Sequence, residues 1–559
     1  MKRTIQTVLL LIIVVIAFFL RTYKITSIPP SLSWDEVSIG YNAYSILKTG
    51  KDEHGRFLPL DTFISYGDYK PPLAIYATVP FVAVFGLSEL AVRLPSALSG
   101  TLTVLLTYYL VIELFSLLTA KNQKTELSHL LNWLPILSTA LLAFSPWHIN
   151  LSRAGFEANI ALLLVVLGIY LVFKSITTPR YWYIAWVPFI GAVYTFNSSR
   201  YFAPMFGIVL VLFFWKNIWK HKKEFIIGAI LALLLMAPIV PHLLSKESRI
   251  RFNEVNIFTD LSVVETANTR ITYEHNSLLA KILHNRRMGY ALDFLRHYTD
   301  NLQPWFLFIR GDGNPKFSIQ DVGQLYAIDA PLLLVGFVSL FATYPQIGWF
   351  LILWLTLAIV PAATARETPH ALRILDTLPT WQIFIAFGIY TICSWAQKLG
   401  KGKLSTRVIQ KGIYCVLILF YVFSISYYLF YYYAHYAKLY SGEWQYGYRE
   451  AIRYAQSVKN KYDTIYISET IGRAYMYTLF YTTYDPNTFL TIKKSSFDAA
   501  GFYHVYGFDT YRFITAMPPG ALNPKALYIA DPGWVPKGAH ILKTVNALDG
   551  YHQLVIFDI

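Results

Sequence analysis

Eleven apolar runs set the terms for this chain, at about 4–20, 92–118, 130–145, 158–173, 182–196, 201–215, 225–243, 328–344, 346–363, 377–396 and 412–433. Several approach the roughly 20 residues a helix needs to cross a bilayer. Only 14% of residues are charged and 55% are hydrophobic, where an ordinary soluble domain carries about 25% charged residues. That balance excludes a cytosolic enzyme and a disordered chain. The fold class that follows is a polytopic α-helical membrane protein of about 11–13 transmembrane helices, with a small C-terminal α/β extracytoplasmic domain. Cys393 and Cys415 fall inside apolar runs, so neither a disulfide nor a zinc site is expected.

The net charge is +15, and its distribution gives the topology. With Lys2 and Arg3 inside, alternate short loops should be basic. They carry Lys121 and Lys124; Lys174 and Arg180; Lys216, Lys220, Lys222 and Lys223; and Lys398, Lys401, Lys403, Arg407 and Lys411. Charge arranged by loop is a topology signal, whereas a nucleic-acid footprint gathers on one surface; no nucleic-acid partner is expected. The first run is followed by Arg21-Thr22-Tyr23-Lys24 and not by a small-x-small cleavage site, so it reads as a retained anchor. Residues 73–86 are also apolar, but a crossing there would move the later basic loops outside. They are expected to dip into the outer leaflet or pack on the bundle. The expected chain crosses eleven times, or thirteen if long runs split, with its N-terminus cytoplasmic and its C-terminus outside.

Three outer regions then hold the polar residues: 21–72, 244–327 and the tail 434–559. Residues 1–433 read as a transmembrane domain. The tail reads as a separate α/β domain, helical at Tyr448–Val458, with strands at Thr464–Ser468, Ala526–Ala530 and 553–558.

The first outer region carries the densest chemistry. Ser33-Trp34-Asp35-Glu36 opens a helix that ends before Gly50. Ser33 and Glu36 have the spacing of a capping box, a structural reason for Glu36 that Asp35 does not share. Val37, Tyr41, Tyr44 and Leu47 recur at helical spacing, as in a helix lying along the membrane surface. Gly67-Asp68-Tyr69-Lys70-Pro71-Pro72-Leu73 follows, and its paired prolines aim Lys70 at the start of an apolar segment. A lysine there can hold a phosphate at headgroup level; the plainer reading is snorkelling to the interface.

The order of these motifs, an opening transmembrane helix, Asp35-Glu36, Tyr69-Lys70-Pro71-Pro72-Leu73 and Arg93-Leu94-Pro95-Ser96, resembles the membrane glycosyltransferases of the GT-C superfamily. It is most similar to the family 39 and 83 type, the protein O-mannosyltransferases, aminoarabinose transferase and their phospholipid carrier-dependent relatives. The likeness covers most of residues 1–435 by architecture. It rests on motifs in residues 30–100 and at Ser152-Arg153, and leaves the tail uncovered.

The resemblance implies transfer of a sugar from a polyprenyl-phosphate carrier to a glycan, lipid or protein acceptor on the outer face of the plasma membrane. Phosphate is already a good leaving group, so one carboxylate suffices to deprotonate the acceptor. Asp35 matches the family's base, with Glu36 grouped beside it as a catalytic candidate. Lys70, Arg153, Arg366 and Arg373 are the candidate cations for donor phosphate, with Glu157 and His370 as further donor or sugar contacts. Ser152-Arg153-Ala154-Gly155-Phe156-Glu157 departs from the O-mannosyltransferase pattern in having Glu as its acid, one residue closer. Asp68, Tyr69 and Arg93 are secondary candidates, Arg93 as a tie between first loop and bundle, and His148 as a helix-end residue.

Arg366-Glu367-Thr368-Pro369-His370-Ala371-Leu372-Arg373 is dense in charge for this chain. Glu367 and His370 supply only two metal ligands, so metal-independent chemistry without a cofactor is expected, with a divalent ion as the alternative. Arg310-Gly311-Asp312-Gly313-Asn314-Pro315-Lys316 reads first as a turn. Trp34, Tyr66, Tyr69, Trp147 and Trp305 are candidates for stacking on sugars, against the commoner role of interface anchors. The competing functions are a polysaccharide polymerase or ligase with a lipid-diphosphate donor, and a lipid-linked sugar transporter.

Overall fold

The structure, a computed structural model, describes residues 3–119, 130–245, 248, 255–399, 404–499, 501–520 and 522–559. Lys2, Lys121, Lys124, Lys401 and Lys403 lie outside the described residues. Seven described helices are long and apolar enough to cross a membrane: Thr4–Thr22, Glu89–Leu118, Glu157–Thr177, Ser199–Lys220, Lys222–Leu243, Pro345–Ala363 and Val408–Leu439. Leu134–Ala143 and Asp329–Thr343 are shorter apolar helices, and Thr380–Leu399 occupies the run at 377–396. The chain is a multi-pass membrane protein, and every one of the eleven apolar runs contains a helix.

The run at 182–196 is broken: a 3-10 turn at Pro179–Tyr183 precedes the regular helix Val187–Val193, which rises only about 10 Å. Residues 73–86 form the helix Leu73–Phe85 of 13 residues, about 20 Å long against a hydrocarbon core of about 30 Å.

The chain divides into two compact units. The first comprises Met1–Phe19, Gly100–Leu151 and Ala158–Tyr428 and holds most of the membrane helices. Within it, Asp329–Thr343 packs on Thr380–Leu399 at backbone distance. A Cβ on Gly336 would lie 1.9 Å from Phe384 O, and one on Gly388 would lie 2.0 Å from Leu332 O. Without a hydrophobic gain between helices in lipid, such small-residue contacts hold the pair by close packing.

The second unit comprises Leu20–Ser99, Ser152–Glu157 and Leu429–Ile559. Packing therefore follows a different line from the membrane boundary expected at 433/434, because the first outer loop and the tail share one apolar core. Val37, Tyr41 and Tyr66 of the loop are buried with Ile452, Ile467, Tyr475, Phe480 and Ile556 of the tail. The helix Trp34–Thr49 consequently does not lie on a surface: its residues 36–43 are all buried. Its other side, Ile39, Ala43 and Ile46, packs with Phe63 and Ile75. The spacing Val37, Tyr41, Tyr44 described only one of two apolar faces.

The unit contains a hairpin, β1 (Phe63–Ser65) with β2 (Asp68–Lys70), and a seven-stranded sheet in the tail. The sheet strands are β3 (Thr464–Ser468), β4 (Lys494–Phe497), β5 (Tyr503–Phe508), β6 (Tyr511–Ile514), β7 (Ala526–Ala530), β8 (His540–Asn546) and β9 (His552–Asp558), in the order β4-β5-β6-β3-β7-β9-β8. Strand β3 runs parallel to both its neighbours, β6 and β7, and the other pairings are antiparallel. The helix Tyr448–Val458 and strands β3 and β7 have the bounds expected from the sequence.

Candidate active site

Asp35 enters the site through local sequence. Ser33 caps the helix and the capping box with Glu36 is complete, which leaves Asp35 in the first turn, where the helix dipole favours a carboxylate. Lys70 arrives by the hairpin. Tyr66 and Gly67 both have positive φ (59° and 93°), the signature of a tight turn suited to strand twist. A side chain at Gly67 is also excluded by space, because its Cβ would stand 2.5 Å from Gly501 O of the tail. The tail grips the turn again through Tyr503 N, which donates to Tyr66 O at 3.3 Å.

The hairpin delivers Lys70 Nζ to 2.8 Å from Asp35 Oδ1 and 3.8 Å from Asp68 Oδ2. The lysine is buried, whereas the Asp35 side chain is 36% exposed. Burial works against the Lys70 ammonium, but the fields of Asp35, Glu157 and Asp68 outweigh it and hold its pKa above the ordinary lysine value. The anchoring role for Lys70 thus gives way to a buried ion pair. Asp35, Asp68, Lys70 and Glu157 are the predicted residues that the fold brings together.

Three other predicted residues are enclosed. Glu36 has no exposed side-chain surface. It accepts from Ser33 N (2.8 Å), Arg93 Nε (2.8 Å), Arg93 Nη2 (3.4 Å) and Gly155 N (2.8 Å). The remaining Arg93 bonds go to the carbonyls of Ile25, Pro29 and Ser31. Arg153 donates to the carbonyls of Leu20 (2.6 Å), Tyr23 (2.6 Å) and Ile28 (2.9 Å) and to the hydroxyls of Tyr432 (3.1 Å) and Tyr433 (3.2 Å). A guanidinium has five N–H donors, so both arginines are fully spent, each giving three bonds to the carbonyls of residues 20–31 and two to other groups. Arg153 is thus a buried staple in this structure, and Glu36 is the counter-charge of Arg93.

The first unit contains a second cluster. Arg366 is exposed and donates to Asn256 O (3.1 Å) and Thr259 Oγ1 (3.4 Å). His370 is buried; its backbone N–H donates to Asn301 Oδ1 (2.9 Å), its ring packs on Phe317 at 4.9 Å, and its Nε2 lies 3.8 Å from Glu367. Burial first, then Arg373, pushes its pKa well down, so the ring is neutral. Arg373 Nη2 is 3.7 Å from Glu367. The turn at 310–316 is part of the same construction, since Asp312 Oδ2 accepts from Ala371 N at 2.7 Å. Among the described residues no group of three or more His, Cys, Asp or Glu could hold a metal ion.

The aromatic candidates separate by burial. Trp34 and Trp305 are exposed, Tyr69 is half-buried, and Tyr66 and Trp147 are core residues. Trp147 is enclosed in the core, with its indole N–H donating to Ala371 O at 3.1 Å, so it offers no face to a sugar. His148 is buried in the helix Pro146–Arg153, where its backbone N–H donates to Ser145 Oγ at 3.3 Å.

Two sets of residues had no local signal. Glu53 is enclosed with Asn42, Tyr475 and Lys493 around it, and burial raises its pKa. Arg473 sits with its guanidinium 4.9 Å from the Tyr66 ring centre. Both depend on the tail folding against the first loop.

Solved structures share this fold. Among solved structures, ArnT from Cupriavidus metallidurans in the apo state aligns with 100% of this chain and 98% of its own, at 12% identity and a TM-score of 0.50. The Archaeoglobus fulgidus oligosaccharyltransferase in the apo form aligns with 86% of this chain and 64% of its own, at 12% identity and a TM-score of 0.50. AglB from the same organism, in complex with an inhibitory peptide and a dolichol-phosphate, gives the same coverage and TM-score at 13% identity. The likeness is one of fold. No family model matches the chain, and no curated protein matches it in sequence.

Proposed function

We propose that the chain is an inverting glycosyltransferase that takes a sugar from a polyprenyl-phosphate carrier on the extracytoplasmic face of the plasma membrane. The observation that carries this reading is the partly exposed Asp35 held 2.8 Å from the buried Lys70 ammonium at the start of a capped helix. The ion pair fixes the direction of the Asp35 carboxylate, as a general base requires. Asp35 takes the proton from an acceptor hydroxyl or amine. The acceptor atom bonds to the anomeric carbon as the carbon–oxygen bond to phosphate breaks, and the electron pair leaves on the polyprenyl phosphate. The GT-C fold and the dolichol-phosphate bound by AglB support a lipid-phosphate carrier.

In this reading Lys70 forms one side of the phosphate site and Glu157 orients the lysine. Asp68 and Tyr69 border it. No metal is required, because the ammonium of Lys70 already occupies the place among the carboxylates that a divalent ion would take. The N-terminus is cytoplasmic and the tail extracytoplasmic, and residues 434–559 form the outer domain that completes the first loop.

The test is carrier release by mass spectrometry, with purified protein in lipid given polyprenyl-phosphate sugars and mixed acceptors. Wild type is expected to release free polyprenyl phosphate and Asp35→Asn to release little, with chelation leaving the wild-type rate unchanged. Equal release by both proteins would remove Asp35 from the chemistry. A lipid-diphosphate polymerase or ligase would instead tolerate Asp35→Asn and depend on basic residues of 244–327. A transporter would move the lipid-linked sugar without cleaving it.

A further inference from the structure

The site as built is short of positive charge. Lys70 faces three carboxylates, and every donor of Arg93 and Arg153 is spent inside the fold. A departing phosphate needs a cation with bonds left to give.

The tail supplies one in an unusual position. Strand β3 is the point at which the sheet changes direction: the chain leaves it to build β4, β5 and β6 on one side, then crosses to β7 on the other. Ligands of open α/β sheets bind outside the carboxyl ends of strands at such a switch point. The loop there is Glu469-Thr470-Ile471-Gly472-Arg473, ahead of the helix Ala474–Tyr481. Gly472 has φ +102° and would crowd the Trp34 ring at 3.0 Å if it bore a Cβ. Arg473 follows with φ 29° and ψ 46°, a left-handed conformation that costs a non-glycine residue about 1–3 kcal/mol. Its side chain is half-buried over the ring of Tyr66, whose hydroxyl donates to Trp34 O at 2.8 Å, next to Asp35. Tyr66 also begins the turn that presents Lys70. Among the described residues the Arg473 guanidinium forms no hydrogen bond and no ion pair within 4.0 Å; Glu469 reaches it only through space.

We propose that Arg473, carried on the β3 loop of the tail, binds the phosphate of the lipid carrier beside Asp35 and Lys70. The tail then contributes directly to donor binding as well as clamping the hairpin. This rests on the carrier-dependent reading above.

The test is equilibrium binding of undecaprenyl phosphate and of undecaprenol to the full-length protein in lipid nanodiscs, with melting temperatures for each variant. Wild type should prefer the phosphate. Arg473→Gln and Arg473→Gly should each lose about tenfold or more in affinity for undecaprenyl phosphate, the scale of one charge-assisted contact, and bind undecaprenol as wild type does. Arg473→Lys should retain part of the preference. Arg473→Gly removes the charge and also relieves the left-handed backbone, so it should melt no lower than wild type. Unchanged phosphate binding in Arg473→Gly and Arg473→Gln would overturn the proposal and leave the carrier reading intact. Equal loss of both ligands, together with a lower melting temperature, would reduce Arg473 to a packing role on Tyr66 and also overturn it. A wild type that does not distinguish phosphate from alcohol would overturn the carrier reading and this inference together.

Discussion

Adjacent Asp35 and Glu36 should respond to amide substitution in opposite ways. Glu36 and Arg93 are both fully enclosed, and removing one member of such a pair leaves a buried charge at a cost of about 3–5 kcal/mol. Arg93 keeps three carbonyls and the nearby Trp444 ring, which places Glu36→Gln toward the lower end, about 3 kcal/mol. The new amide also turns N–H donors toward donors, since all four Glu36 contacts are donated to it. A membrane protein of this size inactivates irreversibly, so the useful quantity is a half-life at fixed temperature. At about 1.4 kcal/mol per factor of ten, Glu36→Gln should shorten it by up to about 150-fold. Asp35→Asn should behave otherwise: Asp35 is 36% exposed, and Lys70 retains Asp68 and Glu157. Its half-life should stay within about threefold of wild type, while carrier release falls by about 10²–10⁴, the usual scale of a lost general base. A Glu36→Gln protein as durable as wild type but inactive would refute this division and restore Glu36 as a reacting acid.

Arg153→Lys keeps the charge but strands at least two of the five acceptors Arg153 now serves; it should cost at least about 2 kcal/mol, read as half-life. The surviving folded fraction should release carrier at a near-normal rate, which a phosphate-binding arginine would not permit. Gly67→Ala forces a Cβ against Gly501 O at a positive φ; about 1–3 kcal/mol of strain should appear as weakened carrier binding, with thermal inactivation measured alongside. Asp312 titrates near about 6, against an ordinary 3.8, because it is buried. The folded state therefore holds that proton more tightly, so this group favours folding at low pH and its contribution fades as pH rises from about 4 through about 6. The loss is at most about 3 kcal/mol. Melting temperature followed over that range should show the decline in wild type and lack it in Asp312→Asn; identical slopes would exclude Asp312 as the source.

Sequence alone determined the membrane character, the helical content of all eleven apolar runs, the capped start at Ser33 and much of the tail. These are local properties. A capping box needs only residues 33 and 36, a strand such as Thr464–Ser468 only its alternation, and a transmembrane helix only length and apolarity. The order of Asp35 and Lys70 was legible too, because the two motifs are short. Which ionisable groups remain available was not legible, since availability depends on partners far along the chain. Arg153 looked like a phosphate cation until the carbonyls of Leu20, Tyr23 and Ile28 took its donors. The capping box of Glu36 was legible, but not the Arg93 and Gly155 donors that close around it. The reverse holds for Arg473, an ordinary loop residue in sequence, which the fold of the tail brings onto the ring of Tyr66. Only tertiary structure decides such cases, because a buried charge takes its role from the groups that satisfy it, and those are assembled from the whole chain.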